Sequence, residues 1–368
     1  MARPALEVPA WEPAVTTELE RAQRSILLIG RATPVNLATE LARLEEAFAR
    51  DDACAPRFEY DRAPRSSLEG ELHALADQLD SLGETLALAY AGRARELALE
   101  QALCTSVGRP EFWMNARARF TKTGSFAARA DALAEGWLAE SIGDEDDTVG
   151  PTTGILSDDA DDPRSLLLRM RSAVGAERLP FRVAVSDRLA ALAATGDGVI
   201  LVGSGRWLEP NTIERTVIHE VFGHALPRAL SRSRALGLFR IGSAGGSDDQ
   251  EGRAIRIEER GGLLGPGRRR ELARRHLACR SVEGQRDFVT TVNSLLMLDT
   301  PLRIALRIAA RAHRGGGLGR EAVYLPSYLR VTDALEACPS LDEVLAHGRV
   351  AVTQAPLARL WVGVPASA

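Results

Sequence analysis

Two imidazoles and a carboxylate lie within one hexapeptide, His219-Glu220-Val221-Phe222-Gly223-His224, behind an apolar run, Thr216-Val217-Ile218, that begins a helix. These side chains are the raw material of a zinc hydrolase site. In the common His-Glu-x-x-His arrangement the two histidines lie four residues apart on one helical face and hold Zn²⁺, and the intervening Glu acts as general base. Here the spacing is five. At about 100° per residue, an offset of five turns the second ring roughly 140° from the first, so a regular α-helix would point the two apart. A single π-type turn, wider than an α turn, would realign them, and Gly223 supplies backbone latitude where it is needed. The spacing therefore predicts a π-bulge or an early helix end within residues 219–224.

Zinc needs a third protein ligand, with the fourth position left for water in a catalytic site. A glycine-rich loop, Gly242 to Ser247, permits the chain to fold back, and the next helix opens Asp248-Asp249-Gln250-Glu251-Gly252-Arg253-Ala254. Glu251 is the candidate ligand there. Glu258, seven residues on, shares its helix face and is the alternative. Each ligating histidine also needs an acceptor for its other ring N–H, for which Asp248, Asp249 and Glu258 are candidates.

The pair of motifs, His-Glu-x-x-x-His followed by Gln-Glu-Gly-x-Ala, resembles the DUF1704 family. That family includes the eukaryotic microtubule-associated tyrosine carboxypeptidases and bacterial proteins known by their QEGLA motif. Arg253 stands where the family usually has leucine. Pro34-Val35-Asn36, Phe58-Glu59-Tyr60 and the segment Gly317-Leu318-Gly319-Arg320-Glu321-Ala322-Val323-Tyr324-Leu325 extend the likeness over most of the chain. The resemblance implies His219, His224 and Glu251 as ligands of one Zn²⁺ and Glu220 as general base. It also implies a carboxypeptidase, which must hold a substrate C-terminal carboxylate. Arg320 is the candidate for that bidentate contact, and Tyr324, one turn on, for a hydrogen bond to substrate or oxyanion.

Composition narrows the remaining classes. The net charge of −4 and pI near 6.0 give no basic field for nucleic acid or anionic lipid. Forty-five of the 46 basic residues are arginine, Lys122 being the exception, a bias without mechanistic weight. Cys54, Cys104, Cys279 and Cys338 form no Cys-x-x-Cys pair, which argues against a zinc ribbon or disulfide scaffold. Residues 1–13 lack an apolar core of signal-peptide type, and no stretch is long and apolar enough to span a bilayer, so a cytoplasmic location is expected. Gly315-Gly316-Gly317 is followed by no Gly-Lys-Ser/Thr, and Gly203-Ser204-Gly205 lacks the spacing of a nucleophile elbow. His73, His276, His313 and His347 read as surface or satisfied core histidines.

The elements that position the motif read as follows. Helical periodicity runs over residues 14–50 with a break at Thr33-Pro34, and again over 66–106 with Ser66 or Ser67 as N-cap. An acidic, Gly/Pro-containing stretch, 143–162, divides the chain near residue 160 or forms an insertion within one domain. Phe181 to Val185 and Gly198 to Gly203 read as strands joined by a short helical piece, and the residues from Ile255 to Ala346 are mainly helical. The expected class is α+β, predominantly helical. A helical N-terminal region over 1–160 precedes a zincin-like catalytic domain over 161–368, with a small sheet beside the metal-bearing helix. The expected function is that of a zinc metallopeptidase, specifically a carboxypeptidase acting on a peptide or protein C-terminus. A non-catalytic metal-binding regulator and a zinc aminopeptidase or endopeptidase are the alternatives.

Overall fold

The computed structural model describes residues 7–61, 63–64, 66–121, 124–140, 153–187, 189 and 191–363. Residues 143–152 of the acidic stretch, and Lys122, lie outside the described residues. Helices dominate, with two small sheets, the predominantly helical α+β class that the sequence indicates. No helix among the described residues is long and apolar enough to cross a membrane.

The early helices span Glu12–Ser25, Leu28–Ala32 and Leu37–Ala49. Their main break falls at Thr33, held extended at φ −81°, ψ 123° by the proline that follows it. Asn36 then ties the returning chain, donating to Arg57 O at 2.8 Å and accepting from Glu59 N at 3.0 Å, so Phe58 to Tyr60 runs as an extended connection. At the start of the helix Leu68–Ser81 it is Ser66 whose hydroxyl accepts from Leu68 N at 3.1 Å, while Ser67 turns its own toward Glu71.

Chain contacts group the residues into two compact units. One comprises Met1–Thr16, Ser141–Arg268 and Ser327–Ala368, the other Thr17–Glu140 and Arg269–Pro326. In the second, the helix Thr85–Ser106 is buried along most of its length, enclosing Tyr90, Leu97 and Leu103, and it packs along the Leu72, Leu75 and Leu79 stripe of Leu68–Ser81. A further core there collects Leu44, Val282, Phe288, Val292 and Leu306.

The first unit carries the sheets. Strands β1 (Ile155–Leu156), β2 (Arg182–Ser186), β3 (Ala193–Thr195), β4 (Val199–Gly203) and β5 (Trp207–Leu208) pair as β1 with β5 and in the order β2-β4-β3. The central β4 runs parallel to β2, Ala184 facing Leu201, and antiparallel to β3, Thr195 facing Ile200. Among the described residues between the two strands the expected short helical piece is absent, and Ala193–Thr195 is a strand. Its Ala-rich sequence favours helix locally, but the open edge of β4 offers hydrogen bonds that only an extended partner satisfies, and tertiary pairing overrides propensity. Ile200 and Val202 of β4 then bury against Leu166, Met170, Ile213, Val217 and Val221.

One buried ion cluster holds the second unit together near residue 321. Glu321 accepts from Arg275 Nε at 2.7 Å and Arg311 Nε at 2.7 Å. Burial alone would raise its carboxyl, but Arg275 and Arg311 outweigh that and hold it at about 2, below the ordinary 4.5. A depressed carboxyl contributes stability that is fully present above pH 4.5 and lost as pH falls toward 2. Glu321→Gln, which strands both guanidiniums, is expected to cost about 3–5 kcal/mol at pH 7. The gap from wild type should narrow in acid, as read from urea denaturation at pH 7 and pH 3.

Candidate metal centre

The helix Pro210–Ile218 starts with proline at its first position, where the missing N–H costs nothing. Its core-facing residues are Ile213 and Val217, continued by Val221 and Ala225. Steps of four overshoot an α-helical turn by about 40° each, so this ladder stays on one face only if the helix unwinds. It does: residues His219–Ala225 form a π-helix, which continues as the α-helix Leu226–Ser231. The widened turn expected from the five-residue spacing is therefore present.

Its effect is to bring the two rings together. His219 Nε2 and His224 Nε2 lie 3.2 Å apart, and Glu251 Oε2 stands 3.5 Å from the first and 3.6 Å from the second. Glu251 projects from the helix Gly246–Arg260, which follows the glycine loop and packs against the π turn. Every residue of its Gln-Glu-Gly-x-Ala run has an identifiable task. Gln250 Oε1 meets His224 Nδ1 at 3.1 Å. Gly252 lies where a Cβ would come within 2.4 Å of the Ser327 backbone, and Ala254 sits beneath Gly223, whose own Cβ would fall 2.6 Å from that of Ala254. Arg253, the departure from the leucine of the resembling family, pairs with Asp342 at 2.8 Å and donates to the Phe222 carbonyl at 3.4 Å, so it braces the π turn from another side.

The outer partners fix the histidine tautomers. Glu258 Oε1 accepts from His219 Nδ1 at 2.6 Å, and Arg268 clasps both Glu258 oxygens at 2.9 Å. Burial alone would raise Glu258, but Arg268 and then His219 bring it to about 2. Glu258 thus stands behind His219, outside the triangle. Asp249 instead pairs with Arg330 and accepts from Val352 N at 2.8 Å, anchoring its helix, and Asp248 is buried in the same turn. Burial by itself would lower His219, yet hydrogen bonding to Glu251 and Glu258 pulls it up to about 10. The field at this point favours a positive charge.

With Nδ1 of each ring facing an acceptor, both Nε2 atoms present lone pairs to one another and to a carboxylate oxygen. In the neutral rings these three acceptors, 3.2–3.6 Å apart, repel unless a proton or a metal cation lies between them, which is the preference for positive charge that the raised His219 expresses. Tetrahedral coordination with bonds of about 2.0–2.1 Å has ligand-to-ligand edges of about 3.3 Å, which is the size of this triangle. His219, His224 and Glu251 are the one group of this type among the described residues, and their donors fit a zinc ion.

Glu220, next to the first histidine, is buried, and its charge is felt by His219. The Thr195 hydroxyl on β3 reaches Glu220 Oε2 at 2.7 Å. Sequence reasoning missed Thr195, Gln250 and Arg268. Only Gln250 had a signal, its place beside Glu251. Arg320 opens the 3₁₀ turn Arg320–Val323, and Tyr324 begins the helix Tyr324–Ala337 with the Arg275 guanidinium 5.0 Å over its ring. Both belong to the unit containing Arg269–Pro326, whereas the triangle belongs to the unit containing Ser141–Arg268. His276, His313 and His347 bond to Asp131, Thr291 and the Glu343 carbonyl, and His73 is exposed.

Comparison with known proteins gives one family. A family model described as microtubule-associated tyrosine carboxypeptidase matches residues 45–361. No curated protein matches. A crystal structure from Colwellia psychrerythraea, described as a candidate lipoprotein, is 12% identical, covering 93% of this chain and 76% of its own at a TM-score of 0.46. At that level it carries neither fold nor function over.

The contact between Gly223 and Ala254 joins the π turn to the Gly246–Arg260 helix and gives a direct test. Gly223→Ala must push the π turn off the Gly246–Arg260 helix, at a cost of about 1–3 kcal/mol in overpacking. Chemical denaturation should show that loss, and an unchanged midpoint would mean the two helices do not meet as described.

Proposed function

The chain belongs to the microtubule-associated tyrosine carboxypeptidase family, and from that membership we infer an activity of carboxypeptidase type. From that premise we propose that it is a zinc-dependent metallocarboxypeptidase that removes a residue from the C-terminus of a peptide or protein. The observation that carries the zinc reading is the triangle of His219, His224 and Glu251, three lone-pair donors at tetrahedral-edge separations with Glu258 and Gln250 behind the two rings.

When bound there, a zinc ion supplies Lewis acidity, lowering the pKa of water toward neutrality and polarising a peptide carbonyl. The protein's own residues do the rest. Glu220 takes the proton of the attacking water and delivers it to the departing amine. Thr195 holds one carboxylate oxygen of Glu220, leaving the other to face the reaction. Because Thr195 closes the edge strand β3, the same contact ties the base to a strand whose outer edge can accept an extended peptide. This juxtaposition of metal helix and edge strand supports the zincin-like reading of the core. Arg320 and Tyr324 are assigned to the substrate carboxylate and to a hydrogen bond on substrate or oxyanion, on their place in the late Gly-rich segment alone.

Glu220 also speaks to the alternative of a binding-only protein. A purely metal-binding site gains nothing from a buried carboxylate held by a threonine beside the ligands, and desolvating it is costly.

Incubating the zinc-loaded protein with a peptide mixture and reading masses tests the reaction class. Loss of single residues from the C-terminus is expected. Glu220→Gln should lower kcat at least about 100-fold, the usual share of a general base, with zinc content unchanged. Retained turnover would remove Glu220 from its role, and N-terminal or internal cleavage would reassign the enzyme to an aminopeptidase or endopeptidase.

A further inference from the structure

A second chemical feature lies in the unit of residues Thr17–Glu140 and Arg269–Pro326, and it does not depend on the zinc reading. The helix Leu302–Gly317 breaks at Arg314, whose ψ of 150° is extended, and Gly315 follows at φ 72°, a left-handed conformation suited to glycine. The Arg314 side chain at this break is buried, 6% exposed. Its Nε meets no hydrogen-bond partner.

The surrounding charges do not compensate it. Arg311, Glu321, Arg320 and Tyr324 are the groups whose charges act most strongly on Arg314. Glu321 is the acid among them, and its two oxygens are already taken, Oε2 by Arg275 and Oε1 by Arg311. Burial and then the repulsion of Arg311 push the Arg314 guanidinium down to about 10, so it still carries its charge at neutral pH. Enclosed cations of this kind are rare because desolvation is costly without an anionic partner.

A second donor points the same way. Tyr60 Oη accepts from Gly315 N at 2.8 Å, the residue next to Arg314, and its own O–H has no acceptor among the described residues. Tyr60 lies close enough to Arg314 for the guanidinium charge to act on its hydroxyl. A guanidinium and a phenol with donors to spare, the phenol held on the amide next to Arg314, match the oxygens of an anion, which a guanidinium binds in a two-pronged, charge-assisted manner.

We infer that Arg314 and Tyr60 form an anion-binding site, taking the oxygens of a carboxylate or a phosphate group. Such an anion neutralises Arg314 and satisfies the Tyr60 hydroxyl, while Glu321 remains with Arg275 and Arg311. The site thereby joins a ligand to the break in the Leu302–Gly317 helix.

The test uses the full chain, with sodium chloride exchanged for inorganic phosphate at constant ionic strength and the thermal midpoint followed. A ligand that binds only the folded state raises the midpoint in a saturable way, and that rise is expected for wild type and absent in Arg314→Met. In a parallel arm an N-acetylated dipeptide with a free C-terminal carboxylate is compared with its amide. A response to phosphate, to the acid peptide or to both identifies the source of the oxygens. An equal response of wild type and Arg314→Met, or none in wild type to either anion, overturns the site. Should Arg314→Met not fold, Tyr60→Phe takes its place, with at least tenfold weaker anion affinity expected and unchanged affinity overturning the site. Zinc content is measured on the same samples. It stays equal across these variants, so failure here is distinguishable from failure of the zinc reading.

Discussion

Two imidazoles five residues apart can share a ligand only if the helix between them widens, and the rest of the site depends on that widening. In this chain the π-helix His219–Ala225 supplies it. A π turn spoils some of the backbone hydrogen bonding that an α-helix would make, so it persists only where the surroundings favour it. Here three features do so. The apolar ladder of Ile213, Val217, Val221 and Ala225 fits an unwound helix better than a regular one. Gly223 lets Ala254 approach within Cβ-clash distance. Arg253 donates to a carbonyl of the widened turn itself.

The second helix is built to meet the first. Gly246 lies where a Cβ would collide with the Arg349 carbonyl at 1.8 Å, and Gly252 where it would collide with Ser327, so the Gly246–Arg260 helix is seated deeply against its neighbours. Asp249, held by Arg330 and the Val352 amide, fixes its rotation. Gln250, Glu251 and Glu258 then project to the two histidines without freedom to wander. Donor atoms locked in place by orienting groups are what a metal site requires and what a chance cluster of acids and imidazoles lacks.

Much of this was legible in the sequence. The π turn followed from counting residues between histidines, and Glu251 from the glycine loop that lets a helix return. What stayed hidden depended on long-range pairing. Thr195 could not be found because Asp187 to Gly196 is rich in alanine and leucine and reads as helix, whereas hydrogen bonds to β4 make its end a strand. Arg268 is separated from Glu258 by the glycines at 261, 262 and 265, and no periodicity spans such a turn. Glu258 was legible in kind but not in place: its spacing allows a ligand or an outer partner, and it stands behind His219 in the grip of Arg268. The division of contacts into two units, each assembled from separated stretches, likewise has no local signal.

The account stands on one ion held by three named atoms. X-ray absorption at the zinc edge of the loaded protein tests that most directly. Two imidazole nitrogens and one carboxylate oxygen from the protein are expected at about 2.0–2.2 Å, at one zinc per chain, with one nitrogen lost in His224→Ala. A sulfur ligand from one of the four cysteines, a shell of oxygens alone, or no stoichiometric zinc would contradict it.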